Sequence, residues 1–164
     1  MKFFTREMIS GELPETEFNA TCKAYQQHIE QMLISSPKAI AELAEISLHD
    51  GLIRRVVLDH GANELLLALR CGDLQIGYFD LDIRYSGVAL APQQLKLISR
   101  RANDRSTEIL ADEFDMETDG RFVHRLLCWP EDELEIVFTG VTFEKQCQPC
   151  REFAYDEEPF IEVG

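Results

Sequence analysis

From Pro14 to Met32 the apolar residues Phe18, Cys22, Tyr25, Ile29 and Met32 recur at steps of four and three. Glu17, Lys23, Gln26, Gln27 and Glu30 fall off that stripe. At 3.6 residues per turn such positions stack on one face, so the spacing predicts an amphipathic helix. Pro14 suits its start, since proline gives up an N–H that has no partner in a first turn. Ser35-Ser36-Pro37 closes this helix and opens a second, with Ser36 as N-cap, running through Ile40, Leu43 and Ala44 to about Ile46.

After Gly51 the period changes to two. Arg54–Asp59 is β-branched and ends in the turn cluster His60-Gly61-Ala62-Asn63. Leu65, Leu67, Leu69 and Cys71 then alternate with Glu64, Leu66, Ala68 and Arg70, and Phe79, Leu81, Ile83 and Tyr85 with Tyr78, Asp80, Asp82 and Arg84. Alternation of this kind marks half-buried strands. Pro92–Arg101 reads as a short helix or crossover. Strands are again predicted at 106–115, 121–128 and 134–145.

The second set of strands repeats the first. LDIRYSGVAL at 81–90 returns as LEIVFTGVTF at 134–143, and Cys71 and Cys128 end equivalent strands. An unbroken period of two would put Gly87 and Gly140 on the core side. A one-residue bulge at each glycine, which tolerates positive φ, would return Val88/Leu90 and Val141/Phe143 to the core. The expected fold is therefore α+β. Two N-terminal helices pack on a mainly antiparallel β structure, a sandwich or strongly bent sheet, built from two three-stranded meanders. Residues 1–146 form one domain (1–47 helical, 52–146 duplicated β), and 147–164 an acidic C-terminal segment.

Charge adds the next constraint. The 164 residues carry 30 acids against 16 bases, a net −14. Residues 1–110 hold 15 acids and 12 bases, or −3, and residues 111–164 hold 15 and 4, or −11. A surface of this sign is a poor match for nucleic acid or anionic membrane, because phosphate binding needs Lys and Arg to displace counterions. It suits a basic protein partner. No apolar run reaches the length of a signal peptide core or of a membrane span, and a cytoplasmic location is expected. The five cysteines are expected as reduced thiols.

Candidate chemistry is sparse. His49-Asp50 pairs a base with an acid, yet adjacent side chains diverge, and the pair is read as a turn. Cys147-Gln-Pro-Cys150 has the spacing of half a zinc site, and Cys71, Cys128 and His124 are the remaining candidates for the other ligands. It lies before acids rather than at a helix N-terminus, which argues against a reactive thiol. Asp112, Glu113, Asp115, Glu117 and Asp119 form an acidic run that departs from the calcium-loop pattern at its second place and lacks the distal Glu. No phosphate loop, nucleophile elbow or zincin helix appears. No cofactor is expected.

Met1-Lys2-Phe3-Phe4-Thr5 and Leu48-His49-Asp50 resemble uncharacterised bacterial proteins grouped as a domain of unknown function. That resemblance implies a small bacterial cytoplasmic protein and carries no activity. The residues themselves favour a non-enzymatic binding protein with an acidic protein-facing surface, such as an immunity or antidote protein for a basic partner. Asp112, Asp115, Glu117, Asp119, Glu131, Asp132 and Glu133 would supply charge, with Trp129 as anchor. The alternatives are a zinc-dependent or hydrolytic enzyme using His, Asp and Cys residues, and an adaptor that self-associates into a homodimer through strand edges.

Overall fold

Alternation beyond Gly51 does become a sheet, and the stripe from Phe18 to Met32 a helix. The computed structural model describes every residue from Met1 to Gly164. In chain order the elements are α1 (Arg6–Ile9), α2 (Glu15–Leu33), α3 (Lys38–Ala44), β1 (Gly51–Asp59), β2 (Glu64–Asp73), β3 (Gly77–Ser86), α4 (Pro92–Asn103), β4 (Glu108–Met116), β5 (Phe122–Trp129), β6 (Glu133–Phe138), β7 (Gly140–Gln148) and β8 (Phe160–Val163). The architecture is α+β, with one eight-stranded, mainly antiparallel sheet. Pro14 immediately precedes α2, and Glu15 and Glu17 place negative charge in its first turn, where the helix dipole favours it. Ser36, expected to cap α3, instead donates its hydroxyl back to the Met32 carbonyl at 2.7 Å and so helps to close α2.

Seven strands lie in the order β6-β5-β4-β1-β2-β3-β7. β1–β2–β3 and β4–β5–β6 pair consecutively and antiparallel. In the strand pairing the two trios are joined only where Gly51 and Leu52 of β1 meet Ile109 and Glu108 of β4. β8 occupies the rest of that edge, pairing Phe160–Val163 in parallel with Val56–Asp59. The C-terminal segment is thus held in the sheet.

The inward faces bury Leu65, Leu67, Leu69 and Cys71 of β2, Phe79, Leu81, Ile83 and Tyr85 of β3, and Leu134, Ile136 and Phe138 of β6. Ile29 and Met32 of α2 and Ile40 and Leu43 of α3 belong to the same apolar cluster. Each such side chain contributes ~1.5–3 kcal/mol when fully withdrawn from water.

The repeated stretches lie side by side. β3 and β7 pair from Tyr78↔Gln148 to Ser86↔Gly140, and an isolated bridge joins Ala89 to Val137. The two copies therefore run antiparallel about a centre at Ser86-Gly87 and Thr139-Gly140. The expected single strand over 134–145 is two strands, β6 and β7, divided at Thr139. The expected glycine bulges are also absent, for the β3–β7 register is continuous through Ser86↔Gly140. Gly87 follows β3 with φ +61°, and the chain at Thr139 changes partner from β5 to β3. Changing partners resets the inward face without an extra residue, and Val141 joins the core as expected. The register shifts lie elsewhere, between Ile53 and Arg55 in β1 and between Ile109 and Ala111 in β4.

Candidate functional site

The shift in β4 sets which acids point where. Beyond it, Asp112 and Phe114 sit opposite Leu126 and His124 of β5 on the inward face, while Glu113 and Asp115 take the outward one. The acidic run is therefore split between two environments.

On the outward face the acids are used by the chain itself. Asp115 is buried and pairs with Arg125 at 3.1 Å, His28 at 3.2 Å and Lys2. Burial alone would raise its pKa, but hydrogen bonds from Lys2 and Arg125 outweigh that and hold the carboxyl below its ordinary range. Glu113, 1% exposed, accepts the backbone N–H groups of Lys2, Phe3 and Phe4 and faces Arg125 at 3.5 Å. Glu117 and Asp119 both bind Arg121, at 2.7 and 2.8 Å. Asp115, Glu117 and Asp119 do come together around a surface depression of about 510 Å³, which Lys2, Arg121 and Arg125 share.

The second predicted cluster is tied down as well. Asp132 pairs with Arg100 and, at 2.9 Å, with Arg101 of α4, and Glu131 lies 3.8 Å from Arg100. Glu133 holds the Met1 amine. Trp129, at the end of β5, stays 53% exposed.

On the inward face Asp112 closes a chain of buried polar groups. The Tyr85 hydroxyl lies 2.8 Å from His124 Nδ1, and His124 Nε2 lies 3.1 Å from Asp112 Oδ2. Tyr85 and His124 are fully buried, with the imidazole stacked on Phe114 at 4.0 Å. Burial first, and Asp112 second, push the Tyr85 pKa well up, so its hydroxyl keeps its proton and donates to Nδ1. That assigns the remaining ring proton to Nε2, which donates to the carboxylate. Asp112 Oδ1 makes no hydrogen bond within the chain.

Asp112 lines a cleft of about 210 Å³ whose walls are largely apolar, including Phe4 and Met8 from the N-terminal segment, Phe18 of α2 and Leu110 of β4. Ser47 and His49 complete its polar lining. His49 is anchored through Nδ1 to the Leu110 carbonyl at 2.7 Å, and its Nε2 lies 3.5 Å from Asp50. His49 thus forms part of one wall of the cleft.

The cysteines are all free and do not converge: Cys71 and Cys128 are buried, Cys147 and Cys150 exposed. No three His, Cys, Asp or Glu side chains are arranged to hold a metal ion. Burial pushes the Cys71 and Cys128 thiols up to about 12. The tail after Cys147 is strapped onto the sheet by Arg70, which donates to Asp80 at 2.7 Å and to the carbonyls of Cys150 and Glu152 at 2.6 and 3.0 Å. Phe153 lies over the same guanidinium at 5.4 Å.

Sequence reasoning did not bring Tyr85, His124 and Asp112 together. The available signal was that His124 shares the inward alternation of Phe122, Leu126 and Cys128, where a polar residue needs a partner. No helix is long and apolar enough to cross a membrane. No family model, curated protein or solved structure matches the chain.

Proposed function

We propose that this chain is a non-catalytic binding protein whose acidic surface takes a basic polypeptide partner, in the manner of an immunity or antidote protein. One observation carries the reading: most of the bases pair with acids of the chain, and the exposed acids left without a basic partner outnumber the bases left without an acid, which are Arg6, Lys23, Arg84, Lys96, Arg105 and Lys145. Arg54, Arg70, Arg100, Arg101, Arg121, Arg125 and Arg151 all pair with acids of the chain. Glu7, Glu15, Glu17, Glu45, Glu144, Glu157 and Glu158 are exposed and have no basic partner. The free charge presented to solvent is therefore negative, and it would steer a cationic partner inward.

The same reading takes the sheet as two three-stranded meanders with the helices packed on it, supported by the antiparallel meeting of the two repeated stretches. It also moves the emphasis from Asp115, Glu117, Asp119 and Asp132, which already have partners, to acids that lack them. The test is fluorescence anisotropy with a labelled deca-arginine peptide, using a deca-glutamate peptide as control. The expected result is binding of the arginine peptide alone, weakening steeply as salt rises. No binding at low salt, or binding indifferent to salt, would overturn the proposal.

A further inference from the structure

We infer that the cleft at Asp112 receives a lysine or arginine side chain of that basic partner, an inference that rests on the function proposed above. The occupant follows from the lining. A volume of about 210 Å³ is smaller than the ~300–1,000 Å³ that holds a drug-sized ligand, and suits a single long side chain. Phe4, Phe18 and Leu110 offer an apolar path for an aliphatic stem, and Asp112 offers one carboxylate beside it.

That carboxylate is pre-positioned. Its Oδ2 accepts from His124 Nε2, which Tyr85 holds in turn from inside the core, and Oδ1 remains without a partner in the chain. A fixed acceptor in apolar surroundings binds a cation more strongly than a mobile one in water, since little side-chain entropy is left to lose. No lysine or arginine lines the cleft to compete. The nearest arginine in sequence on α1, Arg6, is turned away and donates to the carbonyls of Cys128 and Pro130. Exposed Glu7 and Glu17 are the chain neighbours of the lining residues Met8 and Phe18 and carry charge of the same sign.

The test repeats the deca-arginine titration on three variants. Asp112→Asn removes the charge yet keeps an acceptor for His124. Phe18→Ala removes part of the apolar wall without altering charge, at a side chain already 40% exposed. Glu157→Gln/Glu158→Gln removes two acids from the tail. The expected result is on the order of tenfold weaker binding for each of the first two, and a smaller loss of about twofold for the tail variant, which thins the surface charge without touching the cleft. If the wild type binds and Phe18→Ala binds as tightly, the cleft is not the receptor, while the acidic-surface reading stands. If the wild type does not bind, both fail. Because Phe18→Ala spares the buried chain of hydrogen bonds, a folding defect in Asp112→Asn would leave the inference open to refutation.

Discussion

Gly87 lies so close to Thr139 that a Cβ added to it would sit 2.1 Å from the threonine hydroxyl oxygen. The contact is at the centre of the two repeated stretches, where the Ser86 carbonyl also accepts from the Thr139 N–H at 2.9 Å and from its hydroxyl at 3.2 Å. Gly140, the counterpart of Gly87, faces Ser86 more loosely, with an added Cβ 2.8 Å from its hydroxyl oxygen. The small-residue pairs Ser86-Gly87 and Thr139-Gly140 are therefore what let the two copies approach.

Replacing Gly87 by Ala meets both a steric overlap and a φ of +61°. The expected loss is about 1–3 kcal/mol, read from urea denaturation midpoints. Gly140→Ala has no positive φ and meets a small side chain that can rotate, so it should cost less. A larger loss for Gly140→Ala would contradict this account of the contact.

Arg70→Met should loosen the tail rather than unfold the sheet. Asp80 keeps Arg54 at 3.2 Å, so its charge is not left alone, but the carbonyls of Cys150 and Glu152 lose their donor. A cost of ~2–3 kcal/mol is expected, because those donations are charge-assisted. Limited proteolysis should show new cleavage between Pro149 and Pro159. An unchanged digestion pattern would show that β8 alone retains the tail.

Acid should act through Asp115. Its pKa is depressed in the folded chain, so the stability it supplies is fully present above the unfolded value of about 3.9 and is lost as pH falls through the lower folded value. Asp115→Asn should therefore destabilise at neutral pH, and the gap from wild type should shrink below about pH 4. Melting temperatures across that range would check it. A gap that persisted unchanged into acid would assign the effect to packing instead.

Native alkylation should sort the cysteines by position. Cys147 and Cys150 are exposed and should react with iodoacetamide first, whereas Cys71 and Cys128, buried with thiols pushed up to about 12, should react only in denaturant. Mass spectrometry of timed samples would show it. Labelling of Cys71 as fast as Cys150 under native conditions would mean that β2 opens readily.

Local periodicity made much of this fold legible. The stripe from Phe18 to Met32 and the alternation from Phe79 to Tyr85 depend on neighbours a few residues away, and both elements formed as read. The division at Thr139 was not legible, because exchanging β5 for β3 depends on distant strands and leaves no mark in the alternation. β8 is only four residues long and lies among acids, too short for a period to register. The acids were misleading for a related reason. Sequence shows that Asp115 is charged, but not that Lys2 folds across to meet it.

The shared outer strand has a consequence for synthesis. β6 and β7 are one length of chain, yet they form opposite ends of the strand order, and β7 pairs with β3 from Tyr78↔Gln148 to Ser86↔Gly140. A chain emerging from the ribosome exposes one open edge of β3 until all of α4, β4, β5 and β6 has followed. Unpaired edges of that kind recruit other strands, and pairings distant in sequence form slowly. The alternating charges of Asp80, Asp82 and Arg84 along β3 then act before the native state exists, as a guard on the nascent edge.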